Sequence, residues 1–90
     1  MSPPQLTVYA KSHCPLCDEA LDELEGLRKM FVFDLEVIDI RDDPSLYEKY
    51  RHAIPVVCVN GEAIGNFRVD RPKLIAELNR CGASCVEREK

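Results

Sequence analysis

Leu6-Thr7-Val8-Tyr9-Ala10-Lys11-Ser12-His13-Cys14-Pro15-Leu16-Cys17 is the stretch that decides the fold. It opens on an apolar, β-favouring run, while Pro15 suits the first turn of a helix, where a missing N–H breaks no intrahelical bond. The two thiols therefore stand where a strand hands over to a helix. A C-x-x-C pair beside a βαβ pattern is a redox-thiol signal, whereas the same pair alone is equally half of a zinc site.

Working outward, Cys17, Ala20, Leu21, Leu24 and Leu27 recur at three- and four-residue spacings, and Asp18, Glu19, Asp22, Glu23 and Glu25 take the other face. Acids in the opening turns and Arg28 and Lys29 at the close suit the helix dipole. This spacing predicts a helix over 15–29, weakened by Gly26. Upstream, residues 1–4 read as a flexible leader, because Pro3 and Pro4 have no N–H to donate to a ladder.

Downstream, Phe31 to Ile40 reads as the next strand, regular over 33–39. Arg41-Asp42-Asp43-Pro44 is a turn into a short helix, with Asp43 as N-cap and Leu46, Tyr47 and Tyr50 as its apolar side. Val56-Val57-Cys58-Val59 is too apolar for an exposed strand, and Asn60-Gly61 is a hairpin signal that returns 62–65 antiparallel. Asp70 caps a last helix through Leu74, Ile75, Leu78 and Cys81, ended by Gly82. The order βαβαββα predicts an α/β fold with a four-stranded mixed sheet flanked by helices, the domain spanning 5–81 and a tail 82–90.

The composition bounds the function. Ninety residues, 46% of them apolar, make one small globular domain. A net charge of −4 from 16 acids and 12 bases, without a run of like charge, gives no footprint for nucleic acid and no polybasic membrane anchor. Nothing resembles a secretory segment or a bilayer span, so a cytoplasmic monomer is expected. Five cysteines are an odd count, which excludes full pairing within one chain and points to catalytic or metal-binding sulfur.

Cys14 and Cys17 are then asymmetric. A helix beginning at Pro15 aims free backbone N–H groups and its positive end at Cys14, which stabilises a thiolate and makes it the attacking sulfur. Cys17 lies on the apolar stripe one turn inward, where it resolves a mixed disulfide. Ile54-Pro55 is the second feature. A cis peptide there leaves the polar backbone of Ile54 free to pair with an extended peptide or glutathione; a trans proline merely enters the strand.

The residues T-V-Y-A-K-S-H-C-P-L-C over Thr7–Cys17, with Ile54-Pro55-Val56 and Ile64-Gly65, resemble the glutaredoxin branch of the thioredoxin-fold superfamily. Three longer pieces, C-P-L-C-D-E-A, V-I-D-I-R-D-D-P and Y-R-H-A-I-P-V-V-C-V-N-G-E, are most similar to the small glutaredoxin-like proteins of the DUF836 type, over about residues 5–80. The resemblance implies a thioredoxin-like, glutaredoxin-type fold and a thiol-disulfide oxidoreductase with Cys14 as nucleophile and Cys17 as resolving thiol. It also implies that Lys11 meets a glutathione carboxylate and that Ile54, beside a cis-Pro55, pairs with the glutathione cysteinyl unit. The partners so implied are a disulfide-containing protein or glutathione and an unidentified reductase, with glutathione as co-substrate and no tightly bound cofactor. Two departures stand out: Leu16 replaces a tyrosine between the cysteines, and Gly65-Asn66-Phe67-Arg68 replaces a Gly-Gly followed by a small or acidic residue.

Other residues keep two readings. His13 either tunes Cys14 or lies in a solvated loop. Cys58 reads as a small buried hydrophobe. Cys81 continues the last helix's stripe, and Cys85 follows in the tail, where the pair is incidental or exchanges disulfides. A metal or iron-sulfur module, including a zinc site from Cys14, Cys17, Cys81 and Cys85, is the competing class, and a non-catalytic interaction domain is the third.

Overall fold

β1 (Gln5–Ala10) alternates half-buried and buried residues, so one face carries Leu6, Val8 and Ala10 and the other Gln5, Thr7 and Tyr9. The computed structural model describes residues 3–66 and 69–84. After β1 come α1 (Pro15–Arg28), β2 (Asp34–Asp39), a 3-10 turn (Ile40–Asp42), α2 (Pro44–Tyr50), β3 (Val56–Val59), β4 (Glu62–Asn66) and α3 (Arg71–Arg80). The strands form a four-stranded sheet in the order β2-β1-β3-β4. β1 runs parallel to β2 and antiparallel to β3, and β3 pairs antiparallel with β4.

The core follows from these periods. Leu6 and Val8 of β1 and Val57 and Val59 of β3 meet Cys17, Leu24 and Leu27 of α1 and Leu74 and Leu78 of α3 in one buried cluster. α1 and α3 thus cover one face of the sheet. On the other face, the Tyr50 ring of α2 stacks on Tyr9 with centroids 4.7 Å apart. The expected βαβαββα fold with its mixed sheet is the observed one.

Several boundaries move for local reasons. β2 begins at Asp34, not at 31 or 33, because its first partner in β1 is Gln5 and the residues before that are prolines. Pro4 still contributes its carbonyl, which accepts from the Asp34 N–H at 2.9 Å. Phe31 and Phe33 precede the strand and are buried in the core cluster. α1 ends at Arg28, and its C-cap Lys29 donates to the carbonyls of Gly26 and Leu27.

Tyr47 does not join the apolar side of α2: it is exposed, while Leu46 and Tyr50, four residues apart, pack against the core. Asn60 and Gly61 turn the β3–β4 hairpin with φ of 51° and 87°, the paired left-handed conformation that an Asn-Gly turn supplies. Cys81 caps α3 and is half-buried. Beyond it Gly82, at φ 77°, closes a paired cap in which Ala83 N–H donates to Leu78 and Gly82 N–H to Asn79.

Candidate active site

The thiol site is assembled at the end of the sheet where β1 stops. Cys14 occupies the N-cap of α1 in an extended backbone conformation, φ −117° and ψ 106°. A thiol replaces the usual oxygen cap: Sγ of Cys14 accepts the Cys17 N–H at 3.3 Å, satisfying one of the orphan donors that every helix start leaves. Asp18 N–H donates to the Cys14 carbonyl at 3.0 Å, closing the first helical turn. Cys14 as a residue is half-buried, and its sulfur faces the helix start.

Cys17 is 1% exposed. Its thiol donates to Sγ of Cys14 across 2.7 Å. Burial is the largest cause that pushes the Cys17 thiol up to about 11; its hydrogen bond to Cys14 adds to this, and a Lys11 backbone group opposes it. The pair is therefore a half-buried cysteine at a helix N-terminus beside a sequestered neutral thiol. Both cysteines are free.

The loop Lys11–His13 that presents Cys14 is exposed throughout. His13 stands at φ 61°. A non-glycine residue in this left-handed region costs about 1–2 kcal/mol, so the surroundings must hold it there. Lys11 and Ser12 border a cavity of about 240 Å³ that reaches Cys17 and has Ala10, Leu21 and Val37 among its lining.

Ile54-Pro55 is cis, and both residues are buried. In the β1–β3 register Tyr9 faces Val56, so Pro55 adjoins Ala10, the last residue before the thiol loop. Lys11, Cys14, Cys17, Ile54 and Pro55 are thus gathered at one pole of the molecule. Asn66 ends β4, whereas Phe67 and Arg68, the departure noted next to Gly65, lie outside the described residues.

The remaining cysteines fall elsewhere. Cys58 is buried in β3 opposite Thr7, and burial pushes its thiol up. Cys81 closes the far end of α3, and Ser84, three residues on, has its carbonyl accept from Val32 N–H at 2.8 Å, ahead of β2 and away from the thiol pole. Cys85 lies outside the described residues. Cys81 therefore does not join Cys14 and Cys17, and among the described residues no group of three or more His, Cys, Asp or Glu side chains stands together as a metal site. No helix among them is long and apolar enough to cross a membrane.

Sequence reasoning missed Arg41. Its guanidinium binds Asp39 and the hydroxyl of Ser12, 29 positions away, and no local pattern announces that contact. The nearest signal was the fall of Arg41 directly after β2, at the level where β1 ends.

The overall fold is similar to that of known proteins. The X-ray structure of target protein XcR50 from X. campestris is 30% identical, with 83% of this chain covering 96% of that one at a TM-score of 0.69. The solution structure of protein Ne2328 from Nitrosomonas europaea is 29% identical, with coverages of 86% and 93% and a TM-score of 0.77. Wheat glutaredoxin, at 22% identity, coverages of 90% and 83% and a TM-score of 0.55, shares the fold. The family model described as glutaredoxin-like domain (DUF836) matches residues 5–79. With the βαβαββα order, the N-cap thiol and the cis-proline on one scaffold, the chain belongs to the glutaredoxin-like (DUF836) family.

Proposed function

We propose that the chain is a thiol-disulfide oxidoreductase that reduces protein disulfides or glutathione mixed disulfides through Cys14 and Cys17. The observation that carries this reading is the asymmetric pair: a half-buried N-cap cysteine whose sulfur lies 2.7 Å from a buried neutral thiol. Cys14 thiolate attacks one sulfur of the substrate disulfide and forms a mixed disulfide, and the other substrate sulfur leaves as a thiolate that takes up a proton. Cys17 then loses its proton and attacks Sγ of Cys14, which releases the second substrate thiol and leaves a Cys14–Cys17 disulfide. Two electrons pass to the substrate, and an external thiol reductant restores the dithiol.

The start of α1 presents a backbone N–H to the Cys14 sulfur, within reach both when it attacks and when it leaves as the disulfide is later reduced. Lys11 offers an ammonium for a substrate carboxylate. The backbone of Ile54 before cis-Pro55 offers an edge for an extended peptide or the glutathione cysteinyl unit. A working dithiol suits a reducing compartment, which favours the cytoplasm.

Disulfide reduction by Cys14→Ser and Cys17→Ser variants tests the scheme, with a protein disulfide and a glutathionylated peptide as substrates. Cys14→Ser should abolish turnover, and Cys17→Ser should accumulate the partner as a mixed disulfide on Cys14. Full activity after loss of Cys14 rules the mechanism out.

A further inference from the structure

We propose that Arg41 is a positioning residue for Cys14, clamping the loop that presents the thiol to the end of β2. The proposal deepens the thiol-disulfide reading and rests on it for its biological use. The β1–β2 ladder closes with Ala10 opposite Asp39, so the two chains leave the sheet side by side, one toward Cys14 and the other toward Arg41. Arg41 is first fixed to its own turn. Its backbone N–H donates to Oδ1 of Asp39 at 2.9 Å, Nε reaches the same oxygen at 3.3 Å, and Nη2 reaches Oδ2 at 3.1 Å.

From that anchored position Nη2 also donates to the hydroxyl of Ser12. Among the described residues this is the one hydrogen bond made by a side chain of the loop Lys11–His13, beside the contact of the Lys11 backbone with the Cys17 thiol. A planar guanidinium suits the task because it binds a carboxylate and a hydroxyl at once in fixed directions, which a lysine ammonium does not.

What the clamp holds is a conformation the loop would not keep alone. His13 sits at φ 61° directly before Cys14, and a side-chain-bearing residue released from outside restraint returns to negative φ. That rotation turns Cys14 out of the N-cap, where its sulfur accepts the Cys17 N–H at 3.3 Å. Arg41 thus acts on the sulfur through Ser12 and the backbone, without touching it.

The test reads the rate at which iodoacetamide alkylates Cys14, resolved from the other cysteines by peptide mass spectrometry, in Arg41→Ala, Ser12→Ala, the double variant and Ser12→Thr. Losing an exposed charged hydrogen bond of this kind should slow alkylation about three- to fivefold in each single variant. The double variant should be no slower than either single one, because both break the same link. Ser12→Thr, which keeps the hydroxyl, should recover most of the rate lost in Ser12→Ala, a recovery that a general loss of packing does not produce.

Multiplicative effects of the two alanines, or a Ser12→Ala rate equal to the parent's while Arg41→Ala is slow, overturns the clamp. Rates within twofold of the parent in both do the same. If Arg41→Ala loses its fold by circular dichroism, the Ser12→Ala and Ser12→Thr comparison decides alone. Alkylation needs no biological substrate, so this outcome stands apart from whether the chain reduces disulfides.

Discussion

At the residue scale, the two sulfurs differ by their seats on one helix. Cys14 caps α1 and Cys17 is sealed beneath it, with its thiol pushed up to about 11 from an ordinary value of 9.0 chiefly by burial. The fold therefore favours the neutral thiol. Its stabilising share is present below about pH 9 and is lost as pH rises through about 11, so alkaline solution should loosen the start of α1. In Cys14→Ser protein, alkylation of Cys17 should be slow near neutrality and should rise about tenfold per pH unit through the mildly alkaline range; mass spectrometry at graded pH reads this. A Cys17 that reacts at neutral pH as fast as a free thiol refutes the buried role. These two seats, though not the roles, were legible in the chain, because Cys17 falls on the apolar stripe and Cys14 just ahead of it. The left-handed backbone of His13 was not, since nothing in its neighbours marks a histidine for that conformation.

At the element scale, α1 carries a correctable weakness. Gly26 lies inside the helix with negative φ, and an added methyl would meet nothing nearer than Nη2 of Arg71 at 3.6 Å, an ordinary contact. Gly26→Ala should stabilise the protein by about 0.5–1 kcal/mol, read as a higher urea midpoint at unchanged slope. α3 offers the opposite test: Asp70 accepts the Lys73 N–H at 3.2 Å, and Asp70→Ala should cost about 1 kcal/mol by the same measurement. The Asp70 cap, the Asp43 cap of α2, whose carboxylate accepts the Ser45 N–H at 2.8 Å, and the hairpin turn were readable because they depend on residues within a few positions of one another. The start of β2 was not, because a strand begins where its partner can pair, and that partner is Gln5 rather than anything near Phe31.

For the whole molecule, the order of elements sufficed to expect a mixed sheet, but not which pole each cysteine would occupy. Cys81 looked available to the thiol pair along the chain and is carried to the far end by α3. Leu24, with no exposed surface, joins α1 to the shared core, and Leu24→Ala should cost about 2–5 kcal/mol in urea unfolding. Against a total of about 5–13 kcal/mol for a chain of this size, that loss is global, and the variant should melt in one step with the sheet. The link from Cys17 N–H to Sγ of Cys14 has a different bearing, on heredity. Its donor is main chain, so the cap survives any replacement at position 17 except proline. One base change from cysteine to serine there would remove the buried sulfur and leave the capping one seated as before. A lineage carrying this scaffold therefore stands a single mutation from a one-thiol form, with no intermediate in which Cys14 loses its cap.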